Sequence, residues 1–415
     1  MAEPLLFKDS TQRAGGAMGV GAIFRYQVTS RGFGMANRYQ HVDAMRAIAV
    51  LLVVVAHAGL GSVVPGGSGV TIFFAISGFI ITTLLLRERA RTGSFDIVGF
   101  YVRRTVKLLP PLVVALVVPT LVAMLWIHID LTAFAGQVFF FYNWQHIGHP
   151  DVLPGTDVVW SLSIEEQFYI VVALLWVWMA RSRRAIPVLG CISIALILLS
   201  TVLRFVIADP GVQSAADRIY YGSDTRADSL AWGILAALLL YRWQRDTSSV
   251  SWPQRMAGSH WLLAFAVVAF VTSLIVRDDW FRQTFRYTVQ SLSTCVVVLY
   301  GFVAAGTLVH RAFDGVCRVR ILQVIGLSSY SIYLVHLCLI EVVNDSPVSK
   351  PVGFVIGTGI SIAAGVLVYY IVEVPARKIY ERIRDRRIRR GVNSLEIGRP
   401  LVVRDDDTGV RTGNS

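Results

Sequence analysis

Ten stretches of the chain are predominantly apolar, most of them over about 18 to 23 residues, and short polar or basic segments separate them. They fall at 47–64, 69–86, 108–129, 160–180, 185–208, 228–241, 261–276, 287–309, 321–343 and 352–374. An eleventh stretch, 131–144 (LTAFAGQVFFFYNW), is too short to span and carries an aromatic cluster, so it predicts an interfacial or re-entrant helix instead of another crossing. The pattern predicts an all-α polytopic membrane protein with about ten transmembrane helices and one short interfacial or re-entrant helix.

Composition agrees: of 415 residues 54% are hydrophobic and only 16% charged, with a mean hydropathy of +0.58, more apolar surface than a soluble core can bury. The net charge of +12 would suggest nucleic acid in a soluble protein. Here its distribution sets orientation, with no nucleic-acid partner expected. Placing the N-terminus inside puts clusters such as Arg87, Arg89, Arg91 and Arg181, Arg183, Arg184 on cytoplasmic loops, and leaves outside loops with few basic residues such as Arg277 and Lys350. Both termini are therefore expected in the cytoplasm, and the location is the cytoplasmic (inner) membrane. Arginine far outnumbers lysine, which fits a GC-rich bacterial genome. Cys191, Cys295, Cys317 and Cys338 are scattered singly, so neither a disulfide framework nor a metal site is indicated.

Residues 1–38 read as a mobile extension without a convincing signal-peptide cleavage site, and 39–378 as the membrane domain. Residues 379–415 read as a basic, then acidic tail expected to be disordered, its PARKIYERIRDRRIRR start suited to an anionic inner leaflet. No internal repeat of the transporter kind is visible.

Ionisable groups inside apolar spans are costly to bury and are the first candidates for chemistry. In HVDAMRAIAVLLVVVAHAG, Arg46 and His57 lie about three helical turns apart, which puts them on one face about 16 Å apart, with His57 near or beyond the bilayer middle and facing the bundle interior. A histidine there can take and return a proton near neutral pH. In FYVRRTVKLLPPL, Arg103, Arg104 and Lys107 are either ordinary positive-inside charge or a site for the phosphates of a nucleotide-like donor such as coenzyme A. In WSLSIEEQFYIVV, Ser163 and Glu166 have the spacing of a capping box, which a helix start would explain; Glu165 is not needed for capping, and the paired carboxylates suit the orientation of a histidine or a sugar hydroxyl. Gly59, Gly61, Gly66, Gly67 and Gly69 read as a tight turn between helices, with close approach of an acceptor to the backbone as the alternative. Arg226, Asp228, His336 and Glu341 are read first as interhelical hydrogen-bond partners, and Glu373 as an ion-pair partner of Arg377.

Together these segments resemble the acyltransferase-3 family of bacterial membrane O-acyltransferases, from about Tyr39 to Lys378. The resemblance rests on Asp43, Arg46 and His57 in D-x-x-R-x(10)-H, on FFAISGFI at 73–80, on F-Y-x-R-R-x-x-K-x-x-P, on WSLSIEEQFY with Ser161, on R-x-D-S-L-x-x-G from Arg226 to Gly233, and on S-Y-S-I-Y-L-x-H ending at His336. Their order along the chain is the family's.

The resemblance implies transfer of an acyl group, acetyl or else succinyl, from cytoplasmic acyl-CoA to a hydroxyl of a cell-envelope glycan, glycolipid or similar lipid-linked acceptor. His57 takes the role of base and Arg46 that of its companion. The family's R-x-x-R element falls on Arg104 and Lys107, so its second arginine is a lysine here, which keeps the charge and loses the bidentate fork. Asp43, Ser161, Ser163, Arg226, Asp228 and His336 take substrate-binding or supporting roles, Glu165 or Glu166 would orient the imidazole or the acceptor, and no metal is implied. The chain is read as the family's stand-alone form, without a fused hydrolase-like domain. Direct transfer and an acyl-histidine intermediate both stay open. The alternative from another class is a secondary transporter or a flippase for a lipid-linked sugar, with the buried ionisable groups as a proton relay.

Overall fold

The computed structural model describes residues 39–245, 251–304 and 306–397, and the expected extension 1–38 lies outside them. Among the described residues the regular elements are all helices. In chain order they are α1 Gln40–Leu60, α2 Gly67–Thr92, α3 Ile97–Ala123, α4 Leu131–Phe139, α5 Tyr142–His146, α6 Asp157–Met179, α7 Ala185–Ile207, α8 Gln213–Tyr221 and α9 Ser223–Arg245. There follow α10 Trp252–Ala257, α11 His260–Ile275, α12 Asp279–Gln283, α13 Arg286–Val303, α14 Leu308–Cys317, α15 Arg320–Leu327, α16 Ser329–Asn344, α17 Lys350–Val368 and α18 Val374–Ile397.

Six helices are long and apolar enough to cross a membrane unbroken: α1, α2, α3, α6, α7 and the run from α17 into α18. The number rises to eight if the pairs α13 with α14 and α15 with α16 each count as one span. Two of the ten expected spans fall on helices outside this set. Helix α9 carries Asp224, Arg226 and Asp228 in its first turns, which lowers its hydropathy, and α11 has only 16 residues. The expected span 321–343 bends by 77° between α15 and α16. There the Ser328 hydroxyl donates to the Val324 carbonyl at 2.7 Å, an internal competitor for the helix ladder. The stretch 131–144 forms two short helices broken where Phe140 takes a left-handed conformation (φ 62°), with Asp130 capping the first of them at the Thr132 amide. Helix α18 continues to Ile397, so the first part of the expected tail is helical.

Burial orders the bundle. Of the apolar window of α2, 72% is buried inside the protein, against 22% for α3 and for α7, so α2 is central and the other two lie at the periphery. The central position depends on small residues. A Cβ on Gly78 of α2 would run into the Leu230 carbonyl of α9, and a Cβ on Gly233 of α9 into the Ala75 carbonyl of α2. The glycines of two separate sequence motifs thus face each other across one helix crossing and allow the backbones to touch. Replacing Gly233 by alanine is expected to destabilise the protein by about 1–3 kcal/mol through overpacking, read as a lower thermal unfolding midpoint in detergent; an unchanged midpoint would contradict this packing.

Candidate active site

The last turn of α1, Ala56–Leu60, is π-wide and contains Gly59 at φ 130°, a backbone conformation that strains any side chain. His57 stands in this turn. Near the end of this helix the His57 residue keeps accessible surface while its ring is largely surrounded by protein. The glycines after it act as packing and turn residues: a Cβ on Gly67 would meet the Tyr220 ring, and one on Gly69 the Ala49 carbonyl.

His57 meets His336 of α16, 279 residues away in sequence, with Nδ1 of His57 3.0 Å from Nε2 of His336. The other ring nitrogen of His336, Nδ1, lies 2.7 Å from the Tyr333 carbonyl oxygen. A carbonyl only accepts, so His336 Nδ1 carries the proton and, in the neutral ring, Nε2 is a bare acceptor. His57 Nδ1 must then be the donor, which leaves His57 Nε2 with its lone pair free. His336 is itself fully buried, and Ser361 donates to its backbone carbonyl. Sequence reading named His336 but not its partnership with His57. Replacing His336 by phenylalanine is expected to slow transfer on the order of 10²-fold and to shift its pH profile, since the tautomer of His57 is no longer fixed; an unchanged profile would sink this role.

The family-motif charges form a second group around α3 and α6. Arg104 of α3 forms an ion pair with Glu166 of α6 and lies 3.5 Å from the centre of the Tyr169 ring. Glu165 accepts a hydrogen bond from Ser77 of α2 at 2.6 Å and another from the Tyr169 hydroxyl. The two carboxylates are therefore committed to Arg104, Ser77 and Tyr169, and His336 holds the imidazole. Helix α6 begins at Asp157, so Ser163 is already inside it and donates to Val159 at 3.5 Å; the expected capping box is not formed. Ser161 shares a 2.7 Å hydrogen bond with the Tyr333 hydroxyl, beside the histidine pair.

Toward the N-terminal end of α1, Arg46 and Glu373 are charged neighbours of Lys107, and Ser331 donates to Glu373 at 3.3 Å. Glu373 lies among Lys107, Arg46 and Arg377, while the ion pair of Arg377 is with Glu381, which replaces the simple Glu373–Arg377 pair expected. Arg46, Arg104 and Lys107 thus share their surroundings with Glu165, Glu166 and Glu373, a charge-balanced network. Arg103 does not join it and pairs at the surface with Glu88 at 3.6 Å. Asp43 is buried, with its backbone carbonyl against Gly326 of α15.

A third group lies on α9. Asp228 pairs with Arg204 of α7 at 2.8 Å with both side chains fully buried, and Arg204 also donates to the Thr225 and Thr284 carbonyls and to the Thr288 hydroxyl. Arg204 escaped the sequence reading although it was visible as a lone cation within the apolar run LSTVLRFVIA. Arg226, two residues before Asp228, donates to Thr71 of α2 at 2.9 Å. Beside this group, α5 is fastened to the start of α6 by a 2.9 Å hydrogen bond from Tyr142 to Asp157, and burial holds the His146 imidazole below its usual pKa even though Asp157 is 3.6 Å away.

No solved structure matches the chain. It is 28% identical over 372 residues to the Staphylococcus aureus (strain COL) protein named "Putative O-acetyltransferase SACOL0978", covering 84% of this chain and 59% of that one. It is 25% identical over 360 residues to O-acetyltransferase OatA of S. aureus (strain NCTC 8325), covering 81% and 57% respectively. The chain thus spans somewhat under three fifths of the length of the curated relatives it matches. The acyltransferase-3 family model, which describes an acyltransferase domain, matches residues 39–370. With that match and these motifs in place, the chain belongs to the acyltransferase-3 family.

Proposed function

We propose that the protein is a membrane O-acyltransferase in which His57 is the general base, acting on a hydroxyl of a cell-envelope glycan, glycolipid or similar acceptor, with acyl-CoA as donor. The observation that carries this reading is the hydrogen-bond chain from the Tyr333 carbonyl through His336 to His57, which leaves the His57 Nε2 unprotonated. Family membership supports acyl transfer, and the relatives named as O-acetyltransferases support acetyl as the group moved.

The acceptor O–H gives its proton to His57 Nε2 as its oxygen forms the new bond to the thioester carbonyl carbon. The carbon–sulfur bond breaks, and His57 returns the proton to the departing thiolate, so one ester and one thiol form and the imidazole is regenerated. His336 accepts the His57 Nδ1 hydrogen bond throughout and keeps the ring aimed. Arg103 lies at the surface and Lys107 keeps accessible area among its charged neighbours, and these are the two we assign to the donor's phosphates, with Arg104 holding α6 in place through Glu166. Arg46 would line the path between Lys107 and His57.

The test uses inverted membrane vesicles containing the full chain and acetyl-CoA labelled in its acetyl group. Label is expected to enter the lipid or glycan fraction as an alkali-labile ester. Vesicles that leave the thioester intact while moving a sugar or lipid would overturn the reading in favour of a transporter.

A further inference from the structure

The guanidinium of Arg226 is fully buried, yet among the described residues only its Nη2 has a hydrogen-bond partner, Thr71. Nε and Nη1 have none, which leaves three N–H donors unmatched in the interior. The remaining surroundings are aromatic: the guanidinium carbon lies 3.9 Å from the centre of the Tyr287 ring, 5.5 Å from that of Phe74 and 5.6 Å from that of Tyr220. Ring faces attract a cation but accept no strong hydrogen bond. The local charge is also unbalanced. Arg204, Arg226 and Arg286 all act on Tyr287, whereas Asp228, the one carboxylate that also acts on Arg226, is hydrogen-bonded to Arg204. A buried cation with open donors is costly unless a counter-charge arrives.

We propose that Arg226 anchors a binding site for an oxyanion carried by the acceptor, either the carboxylate of an acidic sugar or the phosphate of a lipid-linked one. This deepens the acyl-transfer reading by naming a chemical property of the acceptor, and it rests on that reading for the word acceptor alone. The position is suitable. Tyr220, whose ring centre lies 5.6 Å from the Arg226 guanidinium carbon, is also an electrostatic neighbour of Tyr333, and the Tyr333 ring is 5.5 Å from that of His336. An anion at Arg226 is thus separated from the His57–His336 pair by a wall of two rings. Tyr220 is only half-buried and packs on the side-chain-free Gly67, so rotation of this one ring opens the site toward the loop that follows His57.

The experiment measures thermal unfolding of the purified full chain in detergent with glucuronate, with inorganic phosphate and with glucose, for wild type and Arg226→Met. It needs no turnover, so its failure leaves the His57 reading intact, and a failure of acyl transfer leaves this result intact. Wild type is expected to melt higher with glucuronate or phosphate and not with glucose, and the stronger of the two identifies the sugar carboxylate or the lipid-linked phosphate as the source. Arg226→Met, which removes a buried cation with unmatched donors, is expected to melt no lower than wild type in anion-free buffer and to lose the response, its apparent affinity weakened by about tenfold or more. A purely structural arginine predicts the reverse: a lowered midpoint on substitution and no anion response in wild type. That result overturns the proposal, and the wild-type measurement decides it even if the variant fails to fold.

Discussion

Substitution of His57 by alanine is expected to lower the rate of acyl transfer by about 10²–10⁴-fold while the protein keeps its unfolding midpoint. The size follows from the chemistry: without Nε2 nothing in the described site takes the acceptor proton as the carbon–oxygen bond forms. The mildness toward folding follows from the position, because His57 stands in the last turn of its helix and the residue keeps accessible surface. His336 then keeps its hydrogen bond to Tyr333 and loses the His57 donor on Nε2. The check is paired: release of free coenzyme A thiol on membranes and thermal unfolding of the purified variant. Full activity in the variant would remove His57 from the chemistry. Loss of activity together with a collapsed midpoint would make it a structural residue.

Asp228→Ala is expected to have the largest effect on stability, about 3–5 kcal/mol. It leaves the Arg204 guanidinium, fully buried on α7, facing an empty position beside Arg226. The threonine carbonyls and hydroxyl around Arg204 satisfy N–H groups but carry no counter-charge. The accompanying loss of Arg204 in Arg204→Met with Asp228→Ala is expected to recover a large part of this cost, because a buried pair replaced by apolar groups is far less harmful than one left half-made. Chemical denaturation in mixed micelles measures both. Equal destabilisation by the single and the double variant would mean that the pair contributes nothing as a pair.

What was legible in the sequence follows from local chemistry. The apolar runs locate the helices because each span has to satisfy its own backbone and match its surroundings. His57, Arg46 and the paired glutamates stand out because charge within an apolar run demands a reason. What was hidden is long-range. The partner of His57 lies 279 residues away, and nothing in either segment states that two helix ends converge. The three α3 cations looked alike along the chain, yet Arg103 turns to Glu88 and Arg104 to Glu166, while Lys107 has Arg46 and Glu373 as charged neighbours. Ser163 and Glu166 have capping-box spacing, but α6 starts at Asp157 and Glu166 is drawn off by Arg104. The count of spans went beyond the unbroken helices because hydropathy does not register a bend such as that at Ser328, and because α9 is charged in its first turns and α11 has only 16 residues.

The most direct test of the central claim is mass spectrometry of envelope glycans and lipids from cells expressing wild type or His57→Ala. The account predicts an added acyl ester, acetyl in the first instance, on one acceptor class in the wild type and its absence in the variant. Identical profiles, accompanied by an altered distribution of a sugar or lipid across the membrane, would contradict it.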